Sequence, residues 1–447
     1  MVAEADLGHR LQDGPLAVTI ARAHALDSTF AGVEASACVP NWPQVLAARL
    51  LVAYRRLLAK LAAREGSTSD FLLIGSGTGK DPGPNADAIR IQTDPNPASL
   101  GCDVNFAEAA EGLTGKERQD LLFAVLRSLG AKRVRDMGSD LFQSLPATYH
   151  KVLAQEMTIL TDGDVPLARS EANAVPSTPS PLIVAKAHTA DIAVLVSVHE
   201  ETEVAAAAIR SADISAEQAE LAGFSVQKIV ALDRPTPEAQ AHFDGLILKD
   251  WQAATFDFGD VSMTRNGLAA MSSARWIAFL DGDDLFCDTW LVRSAEMLRD
   301  LERCGARAIV HPELNIIFGG GQDIHVHVDQ TDPMFAPEYF HFGNYYDTLC
   351  LAPRAAYLEV PFQRRDLAKG YAREDWQWNV QTMARGWEHR VARDTVIFKR
   401  RRAHSLSEKV RSVKAVVRNL PELQMNRVQG LHRADPPSVA ENLRKSV

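Results

Sequence analysis

The chain has 447 residues, 46% hydrophobic and 23% charged, about three times the ~150 residues of a typical domain, so two or three cores are expected and a disordered, collagen-like or disulfide-stapled chain is excluded. Its formal net charge of -9, from 48 basic and 57 acidic residues, argues against nucleic acid as the main partner, which would need a basic footprint. Cys38, Cys102, Cys287, Cys304 and Cys350 form no CxxC pair, which points to a reducing, cytoplasmic compartment, and apolar runs such as Ile192 to Val198 are far too short to span a membrane, leaving at most peripheral contact at its inner face.

In chain order, a helix is expected to open at Pro43 and run through VLAARLLVAYRRLLAKLAAREG, whose leucines recur at three- and four-residue spacing. The strand-like FLLIG (71–75), then AIRIQTD, a helical ERQDLLFAVLRSLG and KRVRDMGS continue the alternation, predicting a small Rossmann-like α/β domain over 1–161. GSGTGKDPG after the first of these strands is not a P-loop, because the spacing before Lys80 is wrong and no Ser or Thr follows it, and it reads as a turn. Pro166, Pro176, Pro179 and Pro181 among Ser, Thr and Ala mark a linker over 162–190.

A second α/β domain is expected over 191–410. Strands at Ile192 to Val198, Lys228 to Asp233 and Trp276 to Leu280 alternate with helices at Val204 to Gly223 and Val261 to Ser273, and the third strand runs into Asp281, Gly282, Asp283 and Asp284. Parallel strands that end in polar residues place that acidic tetrad at the carboxyl edge of a sheet, where open α/β folds bind ligands. Beyond it, a helix (Thr289 to Leu301), the strands AIVHPELNIIF and DIHVHVD around Gly319 to Gly321, and the aromatic PEYFHFGNYY predict a mixed or antiparallel extension; residues 411–447 read as a helical tail that frays.

Closely spaced carboxylates after a buried strand offer hard oxygen ligands on a rigid edge, which suits Asp281 and Asp283 to a divalent cation beside the phosphates of a nucleotide; the alternative is a solvated acidic turn. Glu374 and Asp375 open a helix whose Trp376, Val380 and Met383 can face a core. Near the positive helix end a carboxylate is expected to stay ionised and to accept a proton from a hydroxyl attacking an electrophilic carbon, or else simply to cap the helix. In FKRRRAHSLS (398–407), Lys399, Arg400, Arg401 and Arg402 suit a diphosphate and His404 a metal, against the alternative of a solvated basic strand end. His325, His327 and Asp329 alternate with Ile324, Val326 and Val328 and are read as a solvent- or acceptor-facing row. Tyr339, Phe340, Phe342, Tyr345 and Tyr346 form either a sugar-stacking wall or core packing.

Taken together, IAVLVSVHEETE, KIVALDRPTPE, TRNGLAAMSSARWIAFLDGDDLFCDTW and REDWQWNVQTMARGW resemble, in order, the segments of a family 2 glycosyltransferase with the GT-A fold, over about 191–409. The usual Pro and Asn of the first loop are replaced around Val198 to Glu200, and the Asp, Gly, Ser run after the second strand is missing. The N-terminal segment LLFAVLRSLGAKRVRDMGSDLFQSLPATYHKVL faintly resembles the first half of a GT-B glycosyltransferase. A docking or oligomerisation role for residues 1–161 fits the residues equally.

The family 2 resemblance implies that Val198, Glu200, Asp233, Arg265, Asn266 and Arg402 bind the donor. It places Asp281 on the ribose and Asp283 on Mn2+ or Mg2+, with Asp281 and His404 as further metal candidates. It makes Asp375 the catalytic base and Glu374 the runner-up. The implied activity is inverting, metal-dependent transfer from a nucleotide-sugar donor to a glycan or glycoconjugate acceptor, as in surface polysaccharide synthesis. The alternatives are a degenerate GT-A domain that binds nucleotide sugar or glycan without turnover, and a nucleotidyltransferase.

Overall fold

A computed structural model of the chain describes residues 2–12, 14–24, 40–41, 47–62, 71–75, 88–93, 103–160, 188–245, 250–321, 323–402 and 405–432. It is a mixed α/β structure with two sheets. The expected linker lies almost wholly outside the described residues, as do Pro43, the turn after Gly75 and His404.

Two helices, Val2–Gln12 and Pro15–His24, are followed by the short strand β1 (Pro40–Asn41) and the helix Ala48–Ala62. The smaller sheet holds β2 (Phe71–Gly75), β3 (Ile89–Gln92), β4 (Val104–Asn105), β5 (Arg133–Met137) and β6 (Thr158–Leu160), all parallel in the order β4-β3-β2-β5-β6. With β2 counted first this is the order 3-2-1-4-5, that of a doubly wound sheet. Helices Gly115–Ser128 and Ala147–Glu156 pack on it. The first of these starts with a capping box in which the Thr114 hydroxyl accepts from the Glu117 amide and the Glu117 carboxylate accepts from the Thr114 amide.

The larger sheet begins with β7 (Ala190–Val198), β8 (Val226–Asp233), β9 (Trp251–Phe256) and β10 (Ala274–Asp281), parallel in the order β9-β8-β7-β10. β7 and β10 are near-continuous apolar runs because helices cover both their faces. β9 was not expected from sequence: as an edge strand it buries Trp251, leaves Gln252, Ala253 and Thr255 exposed, and carries no apolar run. The sheet then curls through β11 (Leu285–Phe286), β12 (Ala308–Gly319), β13 (Asp323–Val326), β14 (Leu351–Pro353) and β15 (Glu388–Arg401). β14 runs antiparallel between β10 and β12, β13 is antiparallel to β12, and β15 lies parallel to β12, so the expected mixed extension is present. The helices Glu203–Leu221 and Trp290–Arg303 pack side by side, with the buried Ser211 and Ser215 hydroxyls accepting from the amides of Phe286 and Leu291.

The chain does not divide in simple sequence order. The first two helices bury Leu7, Leu11, Leu16 and Ile20 in the core of the larger sheet, Arg10 donates to Glu313 at 2.8 Å, Arg22 pairs with Asp288, and β1 extends the larger sheet beside β13. The smaller unit therefore starts near Ala47, not at the N-terminus. The C-terminal segment also differs from the expected helical tail. After the short helix Leu406–Ser412 it is an irregular strap with two 3-10 turns, and it buries Val417, Leu420, Leu423, Val428 and Leu431 against both units. Proline at 421 and the scattered apolar spacing suit a strap better than a helix.

Candidate functional site

Asp281 ends β10 beside Ser197 of β7. The turn that follows is tight: the Gly282 amide donates to the Ser197 carbonyl at 2.9 Å, and a Cβ at Gly282 would lie 3.0 Å from that oxygen and 3.1 Å from Val198 Cγ2. A side chain between the two aspartates would have to push the Ser197 carbonyl or Val198 aside by a few tenths of an ångström, and Val198, 2% exposed, is a wall of the turn.

Three cations face the turn. Arg265 donates to Asp281 Oδ1 at 2.6 Å, Lys399 lies 3.0 Å from Asp284 Oδ2, and Arg402 Nε lies 3.0 Å from Asp283 Oδ2. Burial alone pushes the Asp281 carboxyl upward, but Arg265 and Lys399 outweigh it and hold it below the ordinary range. Asp283 is pushed up to about 6 by burial, with Arg402 opposing and Asp281 and Glu201 adding. Asp284, 3% exposed, is pushed to about 8 by burial despite Lys399, with Asp283 and Asp281 adding to the rise. Burial is thus the main cause of the rise at Asp283 and Asp284, and the crowding of carboxylates at the turn adds to it.

The second carboxylate pair opens the helix Glu374–Ala384, whose preceding residue, Arg373, takes the left-handed conformation at φ 68 and ψ 49. Arg265 reaches this pair as well, with Nη1 3.6 Å from Glu374 Oε1. Burial, then Glu374, pushes Asp375 up to about 6, so the expected fully ionised state at the helix start gives way to a carboxyl that titrates near neutrality. Asn344 donates to Asp375 Oδ2 at 3.4 Å, and Asn379 in turn donates to Asn344 Oδ1 at 3.1 Å. As expected, Val380 and Met383 are buried in a core, with Trp376 packed against it.

The other expected site residues are placed as follows. Arg265 is 4% exposed on the inner face of its helix, three residues before the buried Leu268, and joins the two acidic groups instead of facing a donor. Asn266 is tied to Phe362, donating to its carbonyl at 2.8 Å and accepting from its amide at 2.9 Å. The Asp233 carboxylate accepts from the amides of Phe258, Gly259 and Asp260 at 2.7, 3.0 and 3.2 Å and from the Thr264 hydroxyl at 2.7 Å. It fixes the loop after β9, and a nucleotide base would find those oxygens already engaged. Glu200 is exposed and accepts from Arg402 at 3.3 Å, while the buried Glu201 accepts from Arg402 at 2.8 Å and from the His199 amide at 2.8 Å.

His327 is not on a solvent face. It is 6% exposed, bonds the Pro312 carbonyl through Nδ1 at 2.8 Å, and lies edge-on to the stacked rings of His311 and Tyr346, while Asp329 grips Arg390 at 3.0 Å. Tyr339, Phe340, Tyr345 and Tyr346 are buried, so the aromatic segment is core and not a sugar-stacking wall. Sequence reasoning missed Asn344, Asp347, Asn379 and Glu201. The signal available was two polar residues, Asn344 and Asp347, inside an otherwise aromatic run. Asp347 lies 3.4 Å from Lys399, which therefore sits between two carboxylates.

Among the described residues, no group of three or more His, Cys, Asp or Glu side chains is set up to hold a metal ion. No helix of the described residues is long and apolar enough to cross a membrane. No family model and no curated protein matches the chain. Solved structures similar to it include S. aureus TarS 1–349, at 10% identity and TM-score 0.36, over 47% of this chain and 60% of that one. The same protein in complex with UDP-GlcNAc matches at 11% identity and TM-score 0.37, over 50% and 64%. In complex with UDP it matches at 12% identity and TM-score 0.36, over 57% and 75%. The chain thus spans less than two thirds of the length of the first two.

Proposed function

We propose that the chain is an inverting, family 2-like glycosyltransferase of the GT-A fold, which moves a sugar from a nucleotide-sugar donor to a hydroxyl of a glycan or glycoconjugate in surface polysaccharide assembly. The observation that supports this reading is the Arg265 bridge, 2.6 Å from Asp281 and 3.6 Å from Glu374, because it ties the acidic turn to the start of the helix that carries Asp375. The order β9-β8-β7-β10, with the turn at the carboxyl edge, supports a nucleotide site there.

In this reading the acceptor hydroxyl gives its proton to a carboxylate oxygen of Asp375. Its oxygen forms a bond to the anomeric carbon from the face opposite the leaving group, the bond from that carbon to the diphosphate oxygen breaks, and the electron pair leaves with the nucleoside diphosphate. Attack from the opposite face inverts the anomeric centre. A carboxyl titrating near 6 is ionised at neutral pH yet basic enough to take a proton in the transition state. Asn344 orients Asp375, and Arg265 holds Glu374 away from the proton path.

Mn2+ or Mg2+ suits the chemistry of the turn, because Asp281 and Asp283 offer hard carboxylate oxygens there and Asp283 would be freed for an ion once Arg402 moves off it. Bound there, such an ion would offset the charge that develops on the diphosphate. Arg402, at the mouth of the turn, is placed to leave Asp283 for a phosphate.

The test is to incubate the full chain with a panel of nucleotide sugars and Mn2+, and to measure thermal stabilisation and released nucleoside diphosphate. Metal-dependent stabilisation and diphosphate release, both lost in Asp283→Ala, are expected. Pyrophosphate as the product would instead indicate a nucleotidyltransferase, and stabilisation without release or transfer a binding domain.

A further inference from the structure

The segment just before the candidate base is held by the other unit. Asp366 and Tyr371 exchange backbone hydrogen bonds at 2.9 Å and close a small loop whose end lies three residues before Glu374. The helix Ala147–Glu156 of the smaller unit grips this loop at three points. Gln155 donates to the Lys369 carbonyl at 2.9 Å, and the Tyr371 hydroxyl donates to Glu156 Oε1 at 3.2 Å. Gly370, at φ +88, packs so tightly that a Cβ there would meet Thr148 Cγ2 at 2.9 Å and Val152 Cγ2 at 3.2 Å. Only a residue without a side chain accepts both that conformation and that neighbour.

The latch is itself braced. Arg127 donates to both Glu156 oxygens at 2.8 and 2.9 Å, and also to the Val417 carbonyl of the C-terminal strap at 2.9 Å. The strap pairs with the loop through Ala372 to Val416 and Val416 to Gly370 bonds of 3.0 Å. Arg418 covers the Tyr371 ring at 5.0 Å. Tyr371 is 7% exposed and belongs to the hydrophobic core of the smaller unit, although Phe362 before it and Trp378 after it belong to the core of the larger one. From this anchor the chain turns through the left-handed Arg373 directly into Glu374 and Asp375. A backbone pinned on one side and forced through a sparsely populated conformation on the other has little freedom to shift the carboxylates that follow.

We infer that the smaller unit is the seat of the acceptor-side carboxylates: its helix Ala147–Glu156 fixes the loop Asp366 to Ala372, and Tyr371 and Glu156 are positioning residues for Glu374 and Asp375. The inference rests on the reading of Asp375 as base. It gives the smaller unit a role in turnover without a ligand of its own. Because Asp283 and Asp284 of the donor turn are held by Arg402 and Lys399 and not by the latch, loosening the latch acts first on the transfer step and leaves donor capture in place.

Tyr371→Phe, Glu156→Gln and Gly370→Ala are prepared in the full chain and compared with Asp375→Asn. Misplacement of a reacting group by a fraction of an ångström to about 1 Å lowers rates by roughly tenfold to a hundredfold. The expected result is a fall of that size in kcat, largest for Gly370→Ala, with the KM for the nucleotide-sugar donor and donor-dependent thermal stabilisation unchanged. Wild-type kcat in both Tyr371→Phe and Glu156→Gln, alongside loss of transfer in Asp375→Asn, would overturn the inference and leave the base reading standing. A parallel loss of donor stabilisation and kcat would mark a general structural defect and also overturn it. Undiminished transfer by Asp375→Asn would overturn the base reading itself. Should the Tyr371 variant fail to fold, Gln155→Ala removes the side-chain bond to the Lys369 carbonyl, together with one to the Lys151 carbonyl within its own helix, and the same split between kcat and KM decides.

Discussion

Replacing Asp375 by Asn should make the protein more stable and nearly inactive, and the two effects have different pH signatures. The Asp375 carboxyl is raised from 3.8 to about 6 by burial and by Glu374. A folded-state value above the unfolded one means that its contribution is fully present below pH ~4 and is lost as pH rises through 6. The ionised side chain therefore costs the folded state about 3 kcal/mol above that range, an upper figure because part of the group meets solvent. Asn has the same shape and no charge. The variant should gain up to that amount over wild type at pH 7.5 in urea unfolding, and nothing at pH 3.5. Its kcat should fall by about a hundredfold to ten-thousandfold, the range for loss of a general base.

In the wild type, kcat should lose about tenfold per pH unit below 6, as the base becomes protonated. Donor capture is read separately in the donor KM, so kcat and KM measured from pH 5 to 8 keep titration of the base apart from any change in donor binding. A flat kcat profile through pH 6, or an Asp375→Asn variant no more stable than wild type at pH 7.5, would refute the reasoning.

Three further outcomes follow from the same geometry. Lys399→Met should destabilise the chain by about 1–3 kcal/mol at pH 7 in urea unfolding, because it leaves the buried Asp284 and the partly buried Asp347 without the donor they share. Thr264→Val removes one of four donors to Asp233 and should cost about 1.5–3 kcal/mol in the same measurement, while the donor KM stays at its wild-type value, because Asp233 binds the loop and not the base. Asp283→Ala should abolish Mn2+-dependent donor hydrolysis, measured as nucleoside diphosphate released, with the far-UV circular dichroism spectrum unaltered.

Much of the larger sheet was legible because its central strands are buried on both faces and so appear as unbroken apolar runs: Ile192 to Val198 and Trp276 to Leu280 lie where the pattern placed them. The edge strand β9 left no such trace, since WQAATF has neither a run nor a clean alternation. The acidic turn was legible because Asp-Gly-Asp-Asp directly follows a strand. The partners of its neighbours were not: Asp233 and Arg265 were expected to face a ligand, yet each is engaged by groups whose position depends on tertiary contacts, 25 to 109 residues away for the amide of Phe258 and the carboxylate of Glu374. The aromatic segment showed composition and not direction, so core and binding wall could not be separated until Tyr345 and Tyr346 were seen at 2% exposure. Local periodicity reports burial of a face, and it is silent on what covers that face.

The way the polypeptide threads through the molecule limits how it can be taken apart. It starts on one body with Leu7 and Leu11, crosses to build the other, returns for the long curled sheet, and finishes by lacing the two together with Val417 to Leu431. A cut at residue 161 or 190 would not release two self-sufficient modules. One fragment would carry two greasy helices with nothing to rest on, and the other would lose the plank beneath its own back. During synthesis the early helices, which end at His24, must wait until β7 begins at Ala190 for their resting place to emerge, so the finished body can form only late, and recombination by swapping whole modules at the proline-rich junction should yield insoluble chimeras.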